Sequence, residues 1–267
     1  MEKRFPKRKG ATMLLKDKIA VITGGASGIG GSGTRLFAEE GATVIMLDVN
    51  VEAGEKLEAE ILAKGQKAKF IKTDISDSDQ VIAAMNEIDR LYGRIDVLYN
   101  NASVFLGGRD NIVSELPLDI WHKIISINLN GMFYCTKFAI PLMRKAGGGA
   151  IVNTSSSAGV IGIPECDAYT ATKGATVSLT KSMAVEYGPE NIRVNCIAPA
   201  AIRTEMVKES NLNDPKFDEQ HFLTKGTPLR RWGLPEEIAK TALFLASEQS
   251  SYINGAILVA DGGITIM

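Results

Sequence analysis

Short runs of consecutive apolar residues alternate along the chain with longer segments of helical spacing. The runs at 19–22 and 43–47 are continuous rather than strictly alternating, which indicates strands covered on both faces in a parallel sheet. The runs predict strands at 19–22, 43–47, 95–99, 151–154, 192–198 and 256–260. Strands that alternate with helices predict an α/β fold, with a doubly wound sheet and right-handed crossovers. The chain has no internal repeat and no linker-like segment, so we expect one domain.

Some of the segments between these runs carry specific helix signals. Asp77 and Gln80 form a capping-box pattern. They precede apolar side chains at helical spacing, namely Val81, Met85, Ile88 and Tyr92. A long helical stretch at 118–145 is expected to be interrupted around 128–131. Pro235 is expected to open the last helix, because proline is tolerated in the first helical turn.

Composition excludes several classes of function. The chain has 267 residues, 45% of them hydrophobic, with a net charge of −1 and a pI near 6.2. A net charge near zero argues against nucleic acid as the main partner, because phosphate binding usually requires a basic surface. No apolar run approaches the length of about 20 residues that a membrane span requires. The three cysteines and two histidines lack metal-ligand spacing, so we expect no metal site. An odd number of cysteines fits a reduced, cytoplasmic protein.

Residues 1–12 differ from the rest of the chain. They have almost no apolar content and are crowded with basic residues, namely Lys3, Arg4, Lys7, Arg8 and Lys9. We expect a disordered basic tail, and a nucleic-acid-binding arm is the alternative. No apolar stretch follows of the kind that a signal peptide needs. Met13 stands directly before the folded pattern and could itself be the translation start, so we expect the catalytic domain at 13–267.

A glycine-rich turn follows the first predicted strand. It reads Thr23-Gly24-x3-Gly28-x-Gly30, and such a turn lets the backbone approach a pyrophosphate at the N-terminus of the next helix. Asp48 ends the second strand about 20 residues on, where an acid binds the ribose hydroxyls of adenosine. Its carboxylate would repel a 2′-phosphate, and no lysine or arginine stands beside it. The pattern therefore favours NAD over NADP.

Ser156, Tyr169 and Lys173 offer the chemistry of proton transfer. Tyr169 and Lys173 are four residues apart in a segment that can be helical, so they would share one helix face. A nearby ammonium favours the phenolate, so we expect the pKa of Tyr169 to fall from about 10 toward working pH. The phenol could then pass a proton to or from a reacting oxygen that Ser156 orients.

These motifs, in this order, resemble those of the short-chain dehydrogenase/reductase family. The resemblance covers the chain from Leu14 to Gly263. It is carried by Thr23-Gly24-x3-Gly28-x-Gly30, Asp48, Asp74, Asn100-Asn101-Ala102, Asn128, Ser156, Tyr169-x3-Lys173, the segment 199–204 and Asp261-Gly262-Gly263. Each motif alone is weak, but the ordered set is highly specific. The resemblance implies a single-domain Rossmann-type fold with helices on both faces of about seven parallel strands in the order 3-2-1-4-5-6-7.

The resemblance also implies a role for each catalytic residue. Tyr169 would be the general acid/base, and Ser156 would hydrogen-bond the substrate oxygen. Lys173 would lower the tyrosine pKa and hold the nicotinamide ribose, while Asn128 would break its helix and hold a water that links Lys173 to solvent. Cofactor contacts are implied for Gly24, Ser27, Gly28, Ile29, Gly30, Asp48, Val49, Asp74, Ile75, Asn101, Ala102, Tyr169, Lys173, Pro199, Ile202 and Thr204.

The implied assembly is a homotetramer. The helices at 118–145 and 168–187 would pair across one interface, and the final helix and strand would form another. Some positions depart from the family pattern: Gly31 and Gly33 add glycine to the first helix, at up to ~1 kcal/mol each relative to alanine. Ser103 and Ala200 replace glycines. None of these changes removes a catalytic side chain, so we expect them to affect cofactor affinity rather than chemistry.

Substrate choice is expected from three loops beyond the carboxyl ends of the strands, at 103–115, 158–167 and 203–225. The second has apolar residues that could form a pocket wall, namely Val160, Ile161, Ile163 and Pro164. It also has polar residues that could contact a hydroxylated or cationic substrate or could form a solvated edge, namely Glu165, Cys166 and Asp167. The segment at 203–226 is long for a connection within a domain, so we expect a lid.

The main functional hypothesis is an NAD-dependent oxidoreductase that acts on a small secondary alcohol or ketone, with a sugar or polyol as a close variant. A 3-oxoacyl reductase is the alternative among enzymes, although it would normally prefer NADPH. A non-catalytic dinucleotide-binding protein would be expected to lack Ser156, Tyr169 or Lys173, and all three are present. A methyltransferase could use the glycine turn and the acid, but it has no need for these three side chains.

Overall fold

The computed structural model of the protein describes residues 13–208 and 217–267, so the predicted basic tail lies outside the described residues. Within these residues, seven parallel strands form one sheet in the order β3-β2-β1-β4-β5-β6-β7. The strands are β1 Ile19–Thr23, β2 Thr43–Asp48, β3 Lys67–Lys72, β4 Val97–Asn100, β5 Gly149–Thr154, β6 Ile192–Pro199 and β7 Ile257–Ala260. The predicted fold and strand order are confirmed.

Helices connect the strands and cover both faces of the sheet. They are α1 Gly28–Glu39, α2 Val51–Ala63, α3 Ser78–Tyr92, α4 Leu118–Ile125, α5 Met132–Lys145, α6 Asp167–Tyr187, α7 Glu205–Val207, α8 Glu219–Lys225 and α9 Pro235–Ala246. Of the predicted capping box, the N-cap is present: the Asp77 carboxylate accepts the N–H groups of Asp79 and Gln80. The reciprocal bond is not, because the Gln80 side chain bonds to the Asp77 carboxylate and the Asp74 N–H instead of the Asp77 N–H. No helix among the described residues has the length and hydropathy that a bilayer span requires.

The predicted interruption of the long helix is a π-helical turn, Ser126–Gly131, between α4 and α5. Such turns often mark functional sites. Two other predictions need correction. The strand expected from Ile95 begins at Val97, and the Ile95 N–H donates to the Leu142 carbonyl of α5 at 3.3 Å. The polar segment at 203–226 contains the helices α7 and α8, which its composition did not indicate.

Alternate residues of each central strand belong to two separate cores. In β1, Ala20 and Ile22 pack with Phe37 of α1 on one face of the sheet. Ile19 and Val21 pack with the side chains of α3 and α5 on the other face. Both sets are buried, which explains why the strands are apolar runs rather than alternating patterns.

Candidate active site

A cavity of about 640 Å³ lies over the carboxyl ends of the strands. The sheet order reverses between β1 and β4, and ligands of open α/β sheets bind in the crevice outside this point. We call one part of the cavity the cofactor end, lined by Gly24, Ser27, Gly28, Ile29, Asp48, Val49 and Asp74. We call the other part, beyond Ser156 and Tyr169, the substrate end, lined by Phe105, Ile163, Cys166, Phe217, Phe222 and Trp232.

Backbone packing shapes the glycine turn of the cofactor end. The Thr23 hydroxyl accepts the N–H groups of Asn101 and Ala102, each at 3.0 Å, and so joins the ends of β1 and β4. Gly24 has φ of +61°, in the left-handed region that favours glycine. A Cβ at Gly30 would lie 2.0 Å from the Gly24 carbonyl oxygen. The first turn of α1 therefore packs directly on the loop, and a larger residue does not fit.

The N-terminus of α1 differs from those of the next two helices. Its N-cap residue, Ser27, makes no side-chain capping bond, and its first turn has no acidic residue. By contrast, Asn50 caps α2 and Asp77 caps α3. The first N–H groups of a helix have no partner within the helix and attract anions. This uncapped end, beside a turn that brings backbone close to the cavity, fits the pyrophosphate of a dinucleotide.

Asp48 is fixed where β2 ends. One carboxylate oxygen accepts the Ala26 N–H and the other accepts the Asn50 N–H, each at 3.0 Å. These bonds hold the carboxylate in the wall of the cofactor end, and each oxygen keeps a further lone pair for a ribose hydroxyl. Asp74, after β3, also lines this end. No lysine, arginine or histidine lines the cavity in the described part of the chain.

Ser156 and Tyr169 meet in the cavity wall at the centre of the site. Ser156 follows β5, and α6 carries Tyr169 and Lys173 one turn apart, as predicted. Lys173 Nζ lies 5.3 Å from the centroid of the Tyr169 ring and donates to the Thr154 carbonyl at 3.0 Å. Lys173 is 2% exposed and does not line the cavity. The ammonium therefore lies beside the Tyr169 ring, behind the residues that line the cavity.

The expected fall in the pKa of Tyr169 is wrong for the protein alone. Burial raises this pKa to about 12, and the nearby Ser156 hydroxyl only partly opposes the shift. Burial also lowers the pKa of Lys173 to about 8. Residue spacing indicated the ammonium but not the desolvation that outweighs it. Tyr169 is thus a neutral phenol at pH 7, which suits proton donation to a carbonyl oxygen.

Asn128 lies in the π-helical turn and is buried. Its side chain accepts the Val104 N–H at 2.8 Å and donates to the Val104 carbonyl at 2.9 Å. It also lies 3.4 Å from the Thr172 hydroxyl of α6. Asn128 therefore ties the loop after β4 to the helix of Tyr169. The water relay that the family resemblance implies for it remains a prediction.

Asp110 is a site residue that sequence reasoning missed. Its carboxylate is buried and accepts three backbone N–H groups, from Asn111 at 2.9 Å, Ala168 at 3.1 Å and Tyr169 at 2.9 Å. It therefore caps α6 from another loop and fixes the turn that carries Tyr169. An N-cap signal normally lies beside its helix, whereas Asp110 is 58 residues before Ala168. No sequence pattern links residues so far apart.

Aromatic side chains form much of the substrate end, and sequence reasoning missed these as well. The Phe105 ring meets the Tyr169 ring edge-on, with centroids 5.0 Å apart. Phe222 lies between Phe217 and Trp232, with centroid distances of 5.5 and 5.1 Å. These rings come from three separate segments, so no periodicity or motif connects them.

Most residues predicted for the site line the cavity: Gly24, Ser27, Gly28, Ile29, Asp48, Val49, Asp74, Ile75, Asn101, Ala102, Ser156, Tyr169, Pro199, Ile202 and Thr204. Gly30, Asn128 and Lys173 do not line it and are buried. Within 13–208 and 217–267, no cluster of three or more histidine, cysteine, aspartate or glutamate side chains could hold a metal ion.

Of the two alternatives for the polar residues of the loop at 158–167, the solvated edge fits Glu165, whereas Cys166 lines the cavity. Glu165 is exposed and does not line the cavity. Asp167 accepts the Val113 N–H at 2.9 Å, so its carboxylate joins two loops. The apolar wall is correct for Ile163 but not for its neighbour Ile161, which is 37% exposed and does not line the cavity.

One departure from the family pattern, Gly33, has a local explanation. Gly33 is buried, and a Cβ there would lie 3.3 Å from the Tyr99 ring, so the extra glycine lets α1 pack closely on the sheet. Beyond Ala200, Ala201 has φ of +51° and its carbonyl accepts the Gly233 N–H at 2.9 Å. This bond holds the chain after β6 against the segment before α9.

Comparison with known proteins gives consistent matches over nearly the whole chain. A family model described as enoyl-(acyl carrier protein) reductase matches residues 24–265. The 3-oxoacyl-[acyl-carrier-protein] reductase FabG of Chlamydia muridarum is 42% identical, over 94% of this chain and 98% of the relative. The cyclohexanol dehydrogenase of Acinetobacter sp. is 38% identical, over 93% of this chain and 95% of the relative.

Solved structures show the same fold. The gluconate 5-dehydrogenase of Burkholderia cenocepacia, in complex with NADP and tartrate, matches with a TM-score of 0.88 at 33% identity. The match covers 96% of this chain and 98% of that chain.

Proposed function

The chain belongs to the short-chain dehydrogenase/reductase family, and we propose that it is an NAD-dependent oxidoreductase that interconverts a secondary alcohol and its ketone. The family binds a nicotinamide dinucleotide. One observation carries the proposal: a single cavity joins the glycine turn and Asp48 to Ser156 and Tyr169. Dinucleotide-binding groups and proton-transfer groups thus face one space. The cyclohexanol dehydrogenase among the relatives is consistent with this reaction class.

The proposed chemistry divides between the cofactor and the protein. The cofactor supplies or accepts the hydride at its nicotinamide ring. In ketone reduction, the Tyr169 phenol donates its proton to the carbonyl oxygen, and the Ser156 hydroxyl holds the same oxygen. In alcohol oxidation, the phenolate takes the hydroxyl proton. Lys173, 5.3 Å from the tyrosine ring centroid, stabilises that negative charge.

The charges at the cofactor end support NAD rather than NADP. The charged groups that line it are carboxylates, Asp48 and Asp74, and no described lysine or arginine lines the cavity. A 2′-phosphate would therefore meet repulsion without a compensating cation. The Burkholderia structure contains NADP, so a protein of this fold can bind NADP. The NAD assignment depends on Asp48.

The proposal is tested by the absorbance of reduced nicotinamide at 340 nm, with NAD or NADP and a panel of secondary alcohols. We expect NADH to form, and we expect Tyr169→Phe to lower kcat by about 10²–10⁴-fold because the proton donor is lost. NADH binding without turnover of any alcohol or ketone would indicate a non-catalytic binding protein instead.

A 3-oxoacyl reductase is the second candidate, because the FabG relative is 42% identical. Reduction of acetoacetyl-coenzyme A distinguishes the two. The leading proposal predicts little reduction with NADPH and a much higher kcat/KM for simple ketones with NADH. The opposite ranking would favour the second candidate.

We extend the proposal to a homotetramer. Large apolar side chains are exposed on the elements expected to pair, including Phe133 of α5, Val185 of α6 and Val259 of β7. Exposed apolar residues on defined faces are typical of subunit interfaces. Sedimentation equilibrium should give four times the subunit mass, and a monomer at micromolar concentration would contradict this extension.

A further inference from the structure

The cavity wall beside Tyr169 is largely hydrocarbon. Phe105 lies edge-on to the phenol, and Ile163 and Cys166 line the same region from the loop before α6. Cys166 is buried, and its thiol donates to the Ile163 carbonyl at 3.3 Å. Because its hydrogen is already bonded, the thiol offers a ligand only a polarizable, weakly polar sulfur.

The segment around α8 adds two more apolar surfaces, those of Phe222 and Trp232. The indole of Trp232 is 7% exposed, and its Nε1–H donates to Glu219 at 2.6 Å. Glu219 also lies 3.6 Å from the Arg203 guanidinium and does not line the cavity. The only polar atom of the indole is thus bonded outside the cavity lining, and the ring presents carbon to the substrate end.

Among the described residues, the substrate end has no basic side chain to balance an anionic substrate. No lysine, arginine or histidine of 13–208 or 217–267 lines it. The acidic residue that does line this part, Glu205, has a side chain 77% exposed to solvent and paired with Lys208 at 3.4 Å. An anion would enter without a cation, and burial of an unpaired charge is strongly unfavourable.

From these walls we infer that the substrate is an uncharged secondary alcohol or ketone with a hydrocarbon body, rather than a sugar, polyol or acid. The inference rests on the proposed oxidoreductase function and names the substrate class of that site. The reacting oxygen meets Ser156 and Tyr169, and the rest of the molecule packs against Phe105, Ile163 and Trp232. A further hydroxyl that faces this wall would be buried against carbon without a partner, which lowers specificity by about tenfold or more.

Cyclohexanol and myo-inositol test the inference, since they share one six-carbon ring and differ in their hydroxyl groups. Oxidation of cyclohexanol transfers the carbinol hydrogen as hydride to NAD and the hydroxyl proton to the Tyr169 phenolate, giving cyclohexanone, NADH and the neutral phenol. We expect kcat/KM for cyclohexanol to exceed that for myo-inositol by at least about 100-fold.

The chain offers a matched pair of variants in one loop. Ile163→Asn places an amide in the cavity wall, whereas Ile161→Asn makes the same change outside it. We expect Ile163→Asn to reduce the preference for cyclohexanol by about tenfold or more, and Ile161→Asn to leave it within about twofold. A preference for myo-inositol, or equal effects of the two variants, would overturn the inference and leave the oxidoreductase proposal intact.

A binding measurement covers the case in which neither alcohol is oxidised. In a Trp121→Phe background, the remaining tryptophan, Trp232, reports on the substrate end through its fluorescence. Saturable quenching by cyclohexanone that Ile163→Asn weakens and Ile161→Asn does not would support the apolar site even if the proposed reaction failed. No saturable quenching would overturn the inference. Thermal unfolding of each variant checks that it is folded.

Discussion

The two ends of the cavity are built in different ways. At the cofactor end, backbone groups and short polar side chains are joined at the edge of the sheet, as where the Thr23 hydroxyl accepts the Asn101 and Ala102 N–H groups. At the substrate end, large side chains from separate loops pack together, as where Phe222 meets Trp232. The cofactor end has little room for an added atom, whereas the shape of the substrate end depends on which side chains form its surface.

This difference suggests how a single fold can keep one cofactor and change its substrate. Replacing Gly30 or Asp48 disturbs main-chain contacts of the turn that follows β1. Replacing Ile163 or Phe105 changes a wall without changing the sheet beneath it. Tyr169 lies where the two ends meet, so its position depends on both.

The largest effect should come from Gly30→Ala. The new Cβ would lie 2.0 Å from the Gly24 carbonyl oxygen, so the turn must move. We expect about 3 kcal/mol lower free energy of unfolding and at least about 100-fold weaker NADH binding. Denaturant unfolding and NADH fluorescence titration measure these effects. Gly162→Ala is the control, because its Cβ would meet no atom within 4 Å. Equal behaviour of the two variants would contradict a backbone-defined cofactor end.

A second prediction concerns Lys173 at the junction of the two ends. Its pKa is lowered by burial to about 8 in the folded protein, from 10.5 when exposed. Between about pH 8 and pH 10.5, Lys173 is protonated in the unfolded chain but largely deprotonated in the folded protein. The free energy of unfolding should therefore rise with pH over this range. Relative to that of Lys173→Met, the free energy of unfolding of the wild-type protein should rise by about 2 kcal/mol between pH 8 and pH 10. Parallel unfolding curves of both proteins at the two pH values would contradict a buried, destabilised ammonium.

A smaller effect is expected for Asp110, which holds the helix of Tyr169. Asp110→Ala leaves the Ala168 and Tyr169 N–H groups without their acceptor. We expect about 1–2 kcal/mol lower stability and a several-fold lower kcat with a smaller change in the KM for NAD. Glu115→Ala is the control, since Glu115 is an exposed acid in the same loop. A change in the KM for NAD alone would show that Asp110 serves the cofactor end instead.

The cofactor end could be predicted from sequence because its determinants are local. The turn from Gly24 to Gly30 and the acid at Asp48 follow directly on apolar strand runs, and strand ends of a parallel sheet meet at one edge. The break near Asn128 could also be predicted, as could the shared face of Tyr169 and Lys173.

The substrate end could not be predicted in the same way. Phe105, Phe222 and Trp232 become neighbours only through tertiary packing, and the polar residue Glu165, which looked suited to contact substrate, is exposed. The pKa of Tyr169 was also beyond sequence reasoning. Spacing reveals the nearby ammonium of Lys173, but the larger effect is desolvation, which depends on everything packed around the phenol.

The central claim is that the two ends act separately, and one crossed experiment tests it most directly. Asp48→Asn and Ile163→Asn are each assayed for two ratios of kcat/KM, NAD over NADP and cyclohexanol over myo-inositol. We predict that Asp48→Asn lowers the first ratio by about tenfold or more and leaves the second unchanged, because it removes the repulsion of a 2′-phosphate and one backbone N–H acceptor, both at the cofactor end. Ile163→Asn should lower the second ratio and leave the first unchanged. If either variant shifts both ratios to a similar extent, the two ends are coupled and the account is wrong.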